Sequence, residues 1–451
     1  MAIKSARQFV CQQCGTTYSK WIGRCEQCGE WNSLVEQVVE TSLEPGKSKN
    51  VAGKMLVPTN IGAIDSRGDK KRLASGFADL DLVLGGGFLL GGVVLLAGQP
   101  GIGKSTLLLQ IAAIIARGER VLYVSGEESA SQVKLRAKRL GADSNEGLDF
   151  AASTNSSDIA ETIFHGDYRL VIVDSVQTLS TPNLSSAPGT VSQITGSANA
   201  IIRAAKASNT AVIIVGHVTK EGSIAGPKIL EHLVDVVLQF EGDRYGGFKV
   251  VRAIKNRYGS TAEAAIFEMD ESGLRIVENP SAMLLSERSK SDGSVVLATI
   301  EGTRPLLVEI QALVNPSNFG YPKRTASGFD LNRLNLLIAV LERRTKLNLS
   351  DKDIYINVVG GLKLADPAAD LAVAMAIASA SAERALPPGA VVFGEVGLGG
   401  EIRRVPSVDK RVAEAKKLGF TEAIAPVYPH ANKFITSVSD LRQALIAHVN
   451  Q

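Results

Sequence analysis

The segment AGQPGIGKSTLL, residues 97–108, constrains the fold of this chain more than any other stretch. It carries the spacing Gly98-x4-Gly103-Lys104-Ser105, in which glycines leave backbone N–H groups free to surround phosphate oxygens. The apolar run GVVLLA before it predicts a buried strand, and KSTLLLQIAAIIARG after it predicts a helix. A glycine-rich loop between a strand and a helix N-terminus is suited to phosphate. The sequence therefore predicts an α/β P-loop domain.

The residue types of this loop predict how ATP and Mg²⁺ would be held. Lys104 is expected to reach the β- and γ-phosphates, and Ser105 is expected to ligate Mg²⁺. The residues predicted to bind the nucleotide and its metal are Gly98, Gln99, Pro100, Gly101, Ile102, Gly103, Lys104, Ser105, Thr106 and Asp174.

Carboxylates follow two of the later apolar runs. RVLYVSGEES predicts a strand that leads into Glu127 and Glu128, and either carboxylate could orient the water that attacks the γ-phosphate. YRLVIVDSVQTL predicts a buried strand ending in Asp174, which suits a residue that holds Mg²⁺ through water. The spacing alone does not choose between the two glutamates.

A further buried strand is predicted in TAVIIVGHVTKEG, which ends near His217 and Thr219. A polar residue at that place could sense the γ-phosphate. His217 could equally be a hydrogen-bonded loop residue, and both interpretations stay open.

The cysteines of the chain all lie in its first 28 residues, with the spacing C-x2-C, ten residues, C-x2-C. They are Cys11, Cys14, Cys25 and Cys28. A glycine follows each pair and permits the tight turn that places four sulfurs around Zn²⁺. A disulfide or a redox pair is the alternative, but a cytoplasmic chain argues against stable disulfides. Residues 1–40 are therefore predicted to be a small zinc ribbon-like module with a structural metal.

Both tryptophans of the chain, Trp21 and Trp31, lie in this module. A module of this size buries little surface without its metal, so we expect them to form its small core rather than a binding surface. The polar residues 41–65 contain Gly and Pro without periodicity, which predicts a flexible linker.

Composition excludes some classes of protein. No signal-peptide core opens the chain, and no apolar run approaches the roughly 20 residues that span a bilayer. We therefore expect a cytoplasmic protein without membrane contact. The net charge is only +3, so nucleic-acid binding would depend on local patches. Aromatic residues make up only 5% of the chain, which does not indicate a large base-stacking surface.

The order of strands and carboxylates resembles the RecA-type ATPase core, and the segment RAIKNRYGST narrows the resemblance. Residues 255–259, KNRYG, match the K-N-R-[FY]-G motif of the RadA/Sms DNA-repair family. Together with the four-cysteine module and the P-loop, the resemblance covers essentially the whole chain. It implies a RecA-like core over residues 66–280.

The resemblance also implies roles for particular residues. Alignment with RecA-like proteins favours Glu127 over Glu128 as the water-orienting carboxylate. Lys255 or Arg257 would stabilise charge on the γ-phosphate of a neighbouring subunit, in the manner of an arginine finger. The alternative for these cations is a basic strand end that contacts solvent or DNA phosphate.

Residues 281–451 resemble the proteolytic domain of Lon proteases, an α+β domain, in their order of strand pairs and helices. A strand pair turns near Gly302, and an Ala-rich helix follows DPAAD. Lon proteases use a Ser-Lys dyad, but the serine position is Ala368 here and Asp409 aligns with the lysine, beside Lys410. Without a nucleophile the domain is predicted to be proteolytically inactive, and the resemblance implies a hexameric ring.

Two basic clusters fit an electropositive channel in such a ring, although each residue could equally belong to a solvated helix face. They are Lys323, Arg324, Arg333, Arg343, Arg344 and Lys346, and then Arg403, Arg404, Lys410, Arg411, Lys416 and Lys417. Residues 178–196, rich in Ser, Thr, Pro and Gly, are expected to be a mobile loop that corresponds to a DNA-facing loop of RecA-like proteins.

The function implied by the resemblance is a hexameric, ATP-dependent DNA motor of recombinational repair. It would act with RecA on branched intermediates, by branch migration on single-stranded DNA. An ATP-dependent Lon-like protease or unfoldase is the alternative, and a scaffold that only binds ATP is a third possibility. Ala368 argues against the protease, and the glutamates argue against the scaffold.

Overall fold

The structure is a computed structural model, and it describes most of the chain in two compact units. The described residues are 5–11, 16–27, 29, 31, 33–40, 60, 72–182, 184–218, 224–225, 229–242, 248–317, 321–429 and 432–449. The first unit comprises residues 1–241, 251–261 and 270–274, and the second comprises 242–250, 262–269 and 275–451. Several predicted features lie outside the described residues. They are the predicted ligands Cys14 and Cys28, the residue Thr219 and nearly all of the predicted linker.

Within the described residues, the helices are α1 Ala78–Leu84, α2 Lys104–Ile115, α3 Ala130–Arg139, α4 Ser156–His165, α5 Val191–Ser208, α6 Ile229–Leu233, α7 Pro280–Leu285, α8 Leu331–Thr345, α9 Ala369–Ala382, α10 Val408–Lys417 and α11 Leu441–His448. Short 3₁₀ turns cover Val176–Thr178 and Val359–Gly361.

The strands in the first part of the described chain are β1 Ser5–Cys11, β2 Thr17–Tyr18, β3 Leu34–Glu40, β4 Arg72–Leu73, β5 Phe88–Leu89, β6 Val93–Gly98, β7 Val121–Ser125, β8 Leu148–Ala152, β9 Leu170–Asp174, β10 Ala211–Val218, β11 Ile224–Ala225 and β12 Val236–Gly242. Those that follow are β13 Lys249–Asn256, β14 Ala264–Asp270, β15 Gly273–Ile276, β16 Ser294–Glu301, β17 Arg304–Pro316, β18 Arg324–Ser327, β19 Lys352–Val358, β20 Ala390–Val392, β21 Glu395–Val396, β22 Ile402–Arg403, β23 Glu422–Pro426 and β24 Ile435–Val438.

The N-terminal module is a small antiparallel sheet with the strand order β2-β1-β3. Its buried core contains Cys11, Cys25 and Leu34. The expectation that the tryptophans form this core is wrong, because Trp21 is 54% exposed and Trp31 is 67% exposed. Smaller partly buried side chains, those of Phe9, Tyr18 and Ile22, pack on the core in their place.

The centre of the first unit is a parallel sheet in the order β12-β6-β10-β9-β7-β8. β6, β7 and β9 are buried at every position, which is typical of parallel strands covered by helices on both faces. These strands and α2 confirm the strand–loop–helix prediction. The carboxyl ends of β6, β7, β9 and β10 share one edge of the sheet, and the predicted site residues follow these ends.

The segment 178–196 is more ordered than its composition predicts, because α5 already begins at Val191. The Gln193 side chain is buried and holds the preceding turn. It accepts a hydrogen bond from the Thr181 amide at 2.8 Å and donates to the carbonyls of Leu184 and Ser186 at 2.9 and 2.8 Å.

The second unit contains a mixed sheet in the order β18-β19-β17-β16-β20-β23-β24. The predicted strand pair is β16 and β17, and Gly302 takes a φ of 66° at their turn. The Ala-rich helix α9 is buried from Ala369 to Ala380, because small side chains let it pack closely on all sides. The sequence of residues 389–405, GAVVFGEVGLGGEIRRV, predicts a second strand pair. This segment divides instead, since β20 joins the main sheet while β21 and β22 form a short hairpin.

Among the residues that the structure describes, none of the helices has the length and apolar character needed to cross a membrane.

Candidate nucleotide-binding site

The phosphate loop connects β6 to α2 with the backbone geometry that its glycines permit. Gly101 and Gly103 have φ values of 78° and 112°, a region that side chains other than glycine rarely adopt. A Cβ atom at Gly98 would lie 2.7 Å from the Phe240 carbonyl oxygen, so only glycine fits there. No side chain caps the N-terminus of α2, which suits the loop to an anionic phosphate chain.

Lys104 is buried at the start of α2 and points back into the loop. Its Nζ donates to the carbonyl oxygens of Gly98 and Gln99 at 2.8 and 3.0 Å. Burial lowers the pKa of Lys104 to about 8, while the charges of Asp174 and Glu127 act in the opposite direction. The arrangement holds a dehydrated ammonium group beside the phosphate loop.

Asp174, at the end of β9, receives hydrogen bonds from two elements. Ser105 Oγ donates to its Oδ2 at 2.8 Å, and the Tyr123 hydroxyl donates to the same oxygen at 2.7 Å. A hydroxyl and a carboxylate in contact form an oxygen donor set of the kind that Mg²⁺ prefers, so these residues fit the predicted metal. Burial raises the pKa of Tyr123 well above its usual value, so this hydroxyl keeps its proton.

The two candidate glutamates have different environments. Glu127 Oε1 accepts a hydrogen bond from Ser175 and lies 3.3 Å from His217 Nε2. The hydrogen bond from His217 is the largest cause that lowers the pKa of Glu127 to about 2, and Ser175 and Lys104 add to the effect. Glu127 is therefore a carboxylate at neutral pH.

Glu128 turns instead toward α3. Arg136 binds it with both terminal guanidinium nitrogens, Nη1 and Nη2, and Nη1 lies 2.6 Å from Oε2. The carboxylate is thus held in a bidentate ion pair, a geometry that fixes its orientation.

His217 lies between the lysine and the glutamate of the site. Its Nδ1 is 3.3 Å from Lys104 Nζ, and its Nε2 is the nitrogen that faces Glu127. The imidazole therefore lies at the phosphate loop and not in a distant loop, a position compatible with either interpretation from the sequence.

The KNRYG segment is held within its own unit by several hydrogen bonds. Lys255 Nζ donates to the carbonyl oxygens of Glu231 and Val234 at 2.7 and 2.8 Å, at the C-terminus of α6. Arg257 is half exposed and pairs with the buried Asp235, with Nη1 at 3.2 Å from Oδ1. The two candidate cations thus differ, since the Lys255 ammonium binds carbonyls and the Arg257 guanidinium has an exposed side.

The same segment also contacts α1. Asn256 Nδ2 donates to the Val83 carbonyl at 3.0 Å, and Gly259 leaves no space for a Cβ atom beside Gly85. Burial, followed by the charge of Asp235, raises the pKa of Tyr258 to about 12. The KNRYG motif therefore makes structural contacts with both α1 and α6, whatever its role in catalysis.

The described half of the cysteine set fits a metal site. Cys11 and Cys25 are buried at the base of the N-terminal module. Cys11 Sγ lies 3.2 Å from Ser33 Oγ, and Cys25 Sγ lies 3.4 Å from the Tyr18 hydroxyl. Buried sulfurs near polar hydrogens are typical of a thiolate zinc site.

The position that aligns with the Lon serine carries no nucleophile. Ala368 is fully buried before α9. Lys410 donates to the Thr303 carbonyl at 3.1 Å, and Asp409 accepts from the Tyr428 hydroxyl at 3.3 Å. These residues provide no Ser-Lys dyad.

Not every member of the two basic clusters fits either interpretation from the sequence, a channel lining or a solvated helix face. Arg411 is fully buried and lies 2.7 Å from Asp366, and Arg333 forms a bidentate pair with the buried Asp370. The sequence could not show this, because both partners lie 37 or more residues away and burial decides which charges are neutralised.

Sequence reasoning missed three polar side chains that shape the site. Tyr123 binds Asp174, Ser175 binds Glu127, and Arg136 binds Glu128. Ser175 directly follows the aspartate, so its place at the strand end was a usable signal. Nothing in the spacing of Tyr123 or Arg136 identified a partner.

Family models match three segments of the chain. Residues 9–36 match the rubredoxin metal binding domain, residues 69–223 match an AAA domain, and residues 335–428 match subunit ChlI of Mg-chelatase. Fold and site together define a protein with a zinc ribbon, a RecA-like P-loop ATPase core and a ChlI/Lon-like C-terminal domain.

Curated relatives align over nearly the full length. The DNA repair protein RadA of Brucella abortus is 48% identical, with 94% of this chain and 92% of the relative covered. The DNA repair protein RadA of Bacillus subtilis is 47% identical, with 94% and 93% covered. The chain belongs to the RadA family of DNA repair proteins, which confirms the resemblance found in the sequence.

Solved structures are more distant. The RadB recombinase is 22% identical at a TM-score of 0.38, and the alignment covers 46% of this chain and 100% of RadB. A KaiC-like protein from Pyrococcus horikoshii is 20% identical at a TM-score of 0.39, with 46% and 99% covered. TM-scores this low add nothing to the assignment.

Proposed function

We propose that this protein is a DNA-dependent ATPase that moves on DNA during homologous recombination and repair. It would process branched intermediates by branch migration on single-stranded DNA, together with a RecA recombinase. The observation that carries the proposal is the convergence of Lys104, the Ser105–Asp174 pair and the ionised Glu127 at one sheet edge. Membership in a family of DNA repair proteins supports DNA as the polymer.

The reaction would be attack of water on the γ-phosphate of ATP. Lys104 would leave its carbonyl partners for the phosphates, and Glu127 would accept a hydrogen bond from the attacking water and orient it. When bound, Mg²⁺ would be held by Ser105 and, through water, by Asp174, and would neutralise charge on the phosphates.

Glu127 is the better candidate for the water-orienting carboxylate. Glu128 already has both oxygens in hydrogen bonds to Arg136, whereas the partners of Glu127 belong to the site itself. A pKa of about 2 makes Glu127 a strong acceptor of hydrogen bonds but a weak base. Its hydrogen bonds from His217 and Ser175 would have to loosen before it accepts a proton.

The ATPase site would be completed between subunits of a homo-hexamer. Arg257 is the stronger candidate for a cation that reaches a neighbour's ATP, since half of its side chain is exposed. Lys255 is engaged with the carbonyls at the end of α6, which favours a structural role. The positions 178–190 before α5 are a candidate contact for DNA.

The proposed domain organisation follows the sequence boundaries: a zinc module over 1–40, a linker over 41–65, the ATPase core over 66–280 and the Lon-like domain over 281–451. Zn²⁺ would be bound by Cys11, Cys14, Cys25 and Cys28, and four protein thiolates would leave no open position for catalysis. We also propose a cytoplasmic location.

The decisive experiment measures the ATPase rate with and without single-stranded DNA over a series of salt concentrations. We expect DNA to stimulate turnover and the stimulation to fall as salt rises, because phosphate contacts release counterions. A rate that is indifferent to DNA at every salt concentration would contradict the proposal.

A further inference from the structure

The exposed tryptophans of the N-terminal module lie together. Trp21 and Trp31 both lie close to Gly23, where a Cβ atom would be 3.8 Å from Trp21 Cη2 and 3.9 Å from Trp31 Cζ3. An antiparallel bridge pairs the backbone of Arg24 with that of Trp31. Two indoles thus share one small surface.

Neither tryptophan belongs to the described core of the module. The described core of the module consists of Cys11, Cys25 and Leu34 with three partly buried neighbours. Indole groups are usually among the more buried side chains, and large exposed apolar patches mark interaction sites. Two tryptophans more than half exposed in so small a module therefore indicate a binding surface.

Cations lie beside the rings. The Arg24 guanidinium lies over the Trp31 ring at 5.7 Å from its centroid, and its Nε donates to the Gly29 carbonyl at 2.8 Å. Lys20 is exposed and precedes Trp21 in the chain, and Glu26 is the one acidic residue among the described residues 16–27, 29 and 31. The surface thus combines flat aromatic faces with positive charge.

We propose that Trp21 and Trp31, with Arg24 and Lys20, form a surface that stacks unpaired bases of single-stranded nucleic acid. The indoles would contact bases, and the two cations would contact the flanking phosphates. Because every base offers a π-face, the contact would be independent of sequence. The inference rests on the proposed function for its polymer and adds a binding site that the ATPase core does not contain.

The chain offers a direct probe, since these are its only two tryptophans. Intrinsic tryptophan fluorescence of the full-length protein would be titrated with oligo(dT). We expect saturable quenching, because stacked bases quench indole emission. A duplex of equal length should quench far less, since its bases are already stacked on each other. An abasic oligonucleotide should bind through phosphate without quenching.

Substitutions test the same surface by the anisotropy of a labelled oligonucleotide. Trp21→Ala and Trp31→Ala should each weaken binding of single strands about ten-fold. Trp31→Phe, which keeps an aromatic face, should restore most of the affinity. Phe164→Ala, at an exposed aromatic residue of α4, is the matched control and should leave affinity unchanged.

The two proposals fail in different ways. If single-stranded DNA stimulates ATP turnover but neither quenches the tryptophans nor responds to their replacement, the stacking surface is refuted and the motor stands. In that case the indoles would serve a protein partner instead. If quenching and the loss of affinity are found without any stimulation of turnover, the surface stands and the motor is refuted.

Discussion

At the scale of single residues, neighbouring groups determine the ionisation of Lys104 and Glu127 before any substrate binds. Burial lowers the pKa of Lys104, while hydrogen bonds from His217 and Ser175 lower the pKa of Glu127 and keep it ionised. The cation and the carboxylate that the proposed reaction uses are thus set in place by neighbours from four strand ends. The effect of Glu127 on ATP hydrolysis and the effect of Lys104 on proton uptake can be measured separately.

Replacing Glu127 by Gln should strongly slow hydrolysis and leave ATP binding intact. The amide keeps the shape of the side chain but cannot accept the proton of the attacking water, so we expect turnover to fall by about 10²–10⁴-fold. Binding of a fluorescent ATP analogue and steady-state phosphate release would measure the two effects.

The matched control is Glu128→Gln, which removes a charge from the neighbouring position. It should weaken the ion pair with Arg136 and reduce turnover much less. Should Glu128→Gln be the variant that stops hydrolysis, the assignment of the carboxylate is wrong.

Nucleotide binding should take up protons at pH 8. With a pKa of about 8, about half of the unliganded molecules carry a neutral Lys104 at that pH. Phosphate favours the charged lysine and raises its pKa, so about half a proton should be bound per nucleotide, and fewer at pH 7. Calorimetry with ADP in buffers of different ionisation enthalpy measures this number.

Lys104→Arg serves as the control because a guanidinium stays protonated in this range. It should show no proton uptake at pH 8. Equal uptake by both proteins would assign the proton to another group.

At the scale of elements, continuous apolar runs were sufficient to predict the strands and the helix that form the site. β6, α2, β7, β9 and β10 all lie where the sequence predicted them. The pattern could not show pairing between distant charges, which is why Arg411 was assigned to a solvent-facing cluster. It also failed for Trp21 and Trp31, because hydrophobicity alone does not distinguish a core side chain from an exposed one.

The buried Arg411 anchors α10 to the sheet of the second unit. Its Nη1 donates to the Ala298 carbonyl of β16 at 2.6 Å and also lies 2.7 Å from Asp366. Arg411→Met should destabilise the protein by about 3–5 kcal/mol, because it leaves the mostly buried Asp366 carboxylate without its positive partner, with only the hydrogen bonds from Thr299, Ile300 and Ala368. Thermal unfolding followed by circular dichroism would measure the loss.

The double variant Arg411→Met/Asp366→Asn should recover part of that loss, since no unpaired charge remains. Arg403→Met, which removes an exposed pair with Glu401, should hardly change the melting temperature. A double variant no more stable than Arg411→Met would show that the carboxylate is not the cause.

The same pair predicts a pH dependence. Burial alone would raise the pKa of Asp366, but the hydrogen bond and charge of Arg411 outweigh it, so the net pKa is lowered. The stabilisation is therefore complete above the pKa of an unfolded aspartate, about 3.9, and is lost as pH falls through the lower folded value.

At the scale of the whole molecule, the proposed ring makes two inactive variants complementary. Lys104→Ala removes the phosphate cation of a subunit's own site, and Arg257→Ala removes the cation offered to a neighbour. Each variant alone should lack DNA-stimulated ATPase activity. A mixture should regain a fraction of it, because some interfaces join an intact Lys104 to an intact Arg257 of the next subunit.

A mixture of Lys104→Ala with Glu127→Gln is the control, since both changes damage the same side of the interface and no pairing restores a complete site. If both mixtures stay inactive while subunits exchange, Arg257 acts within its own chain, where it already contacts Asp235.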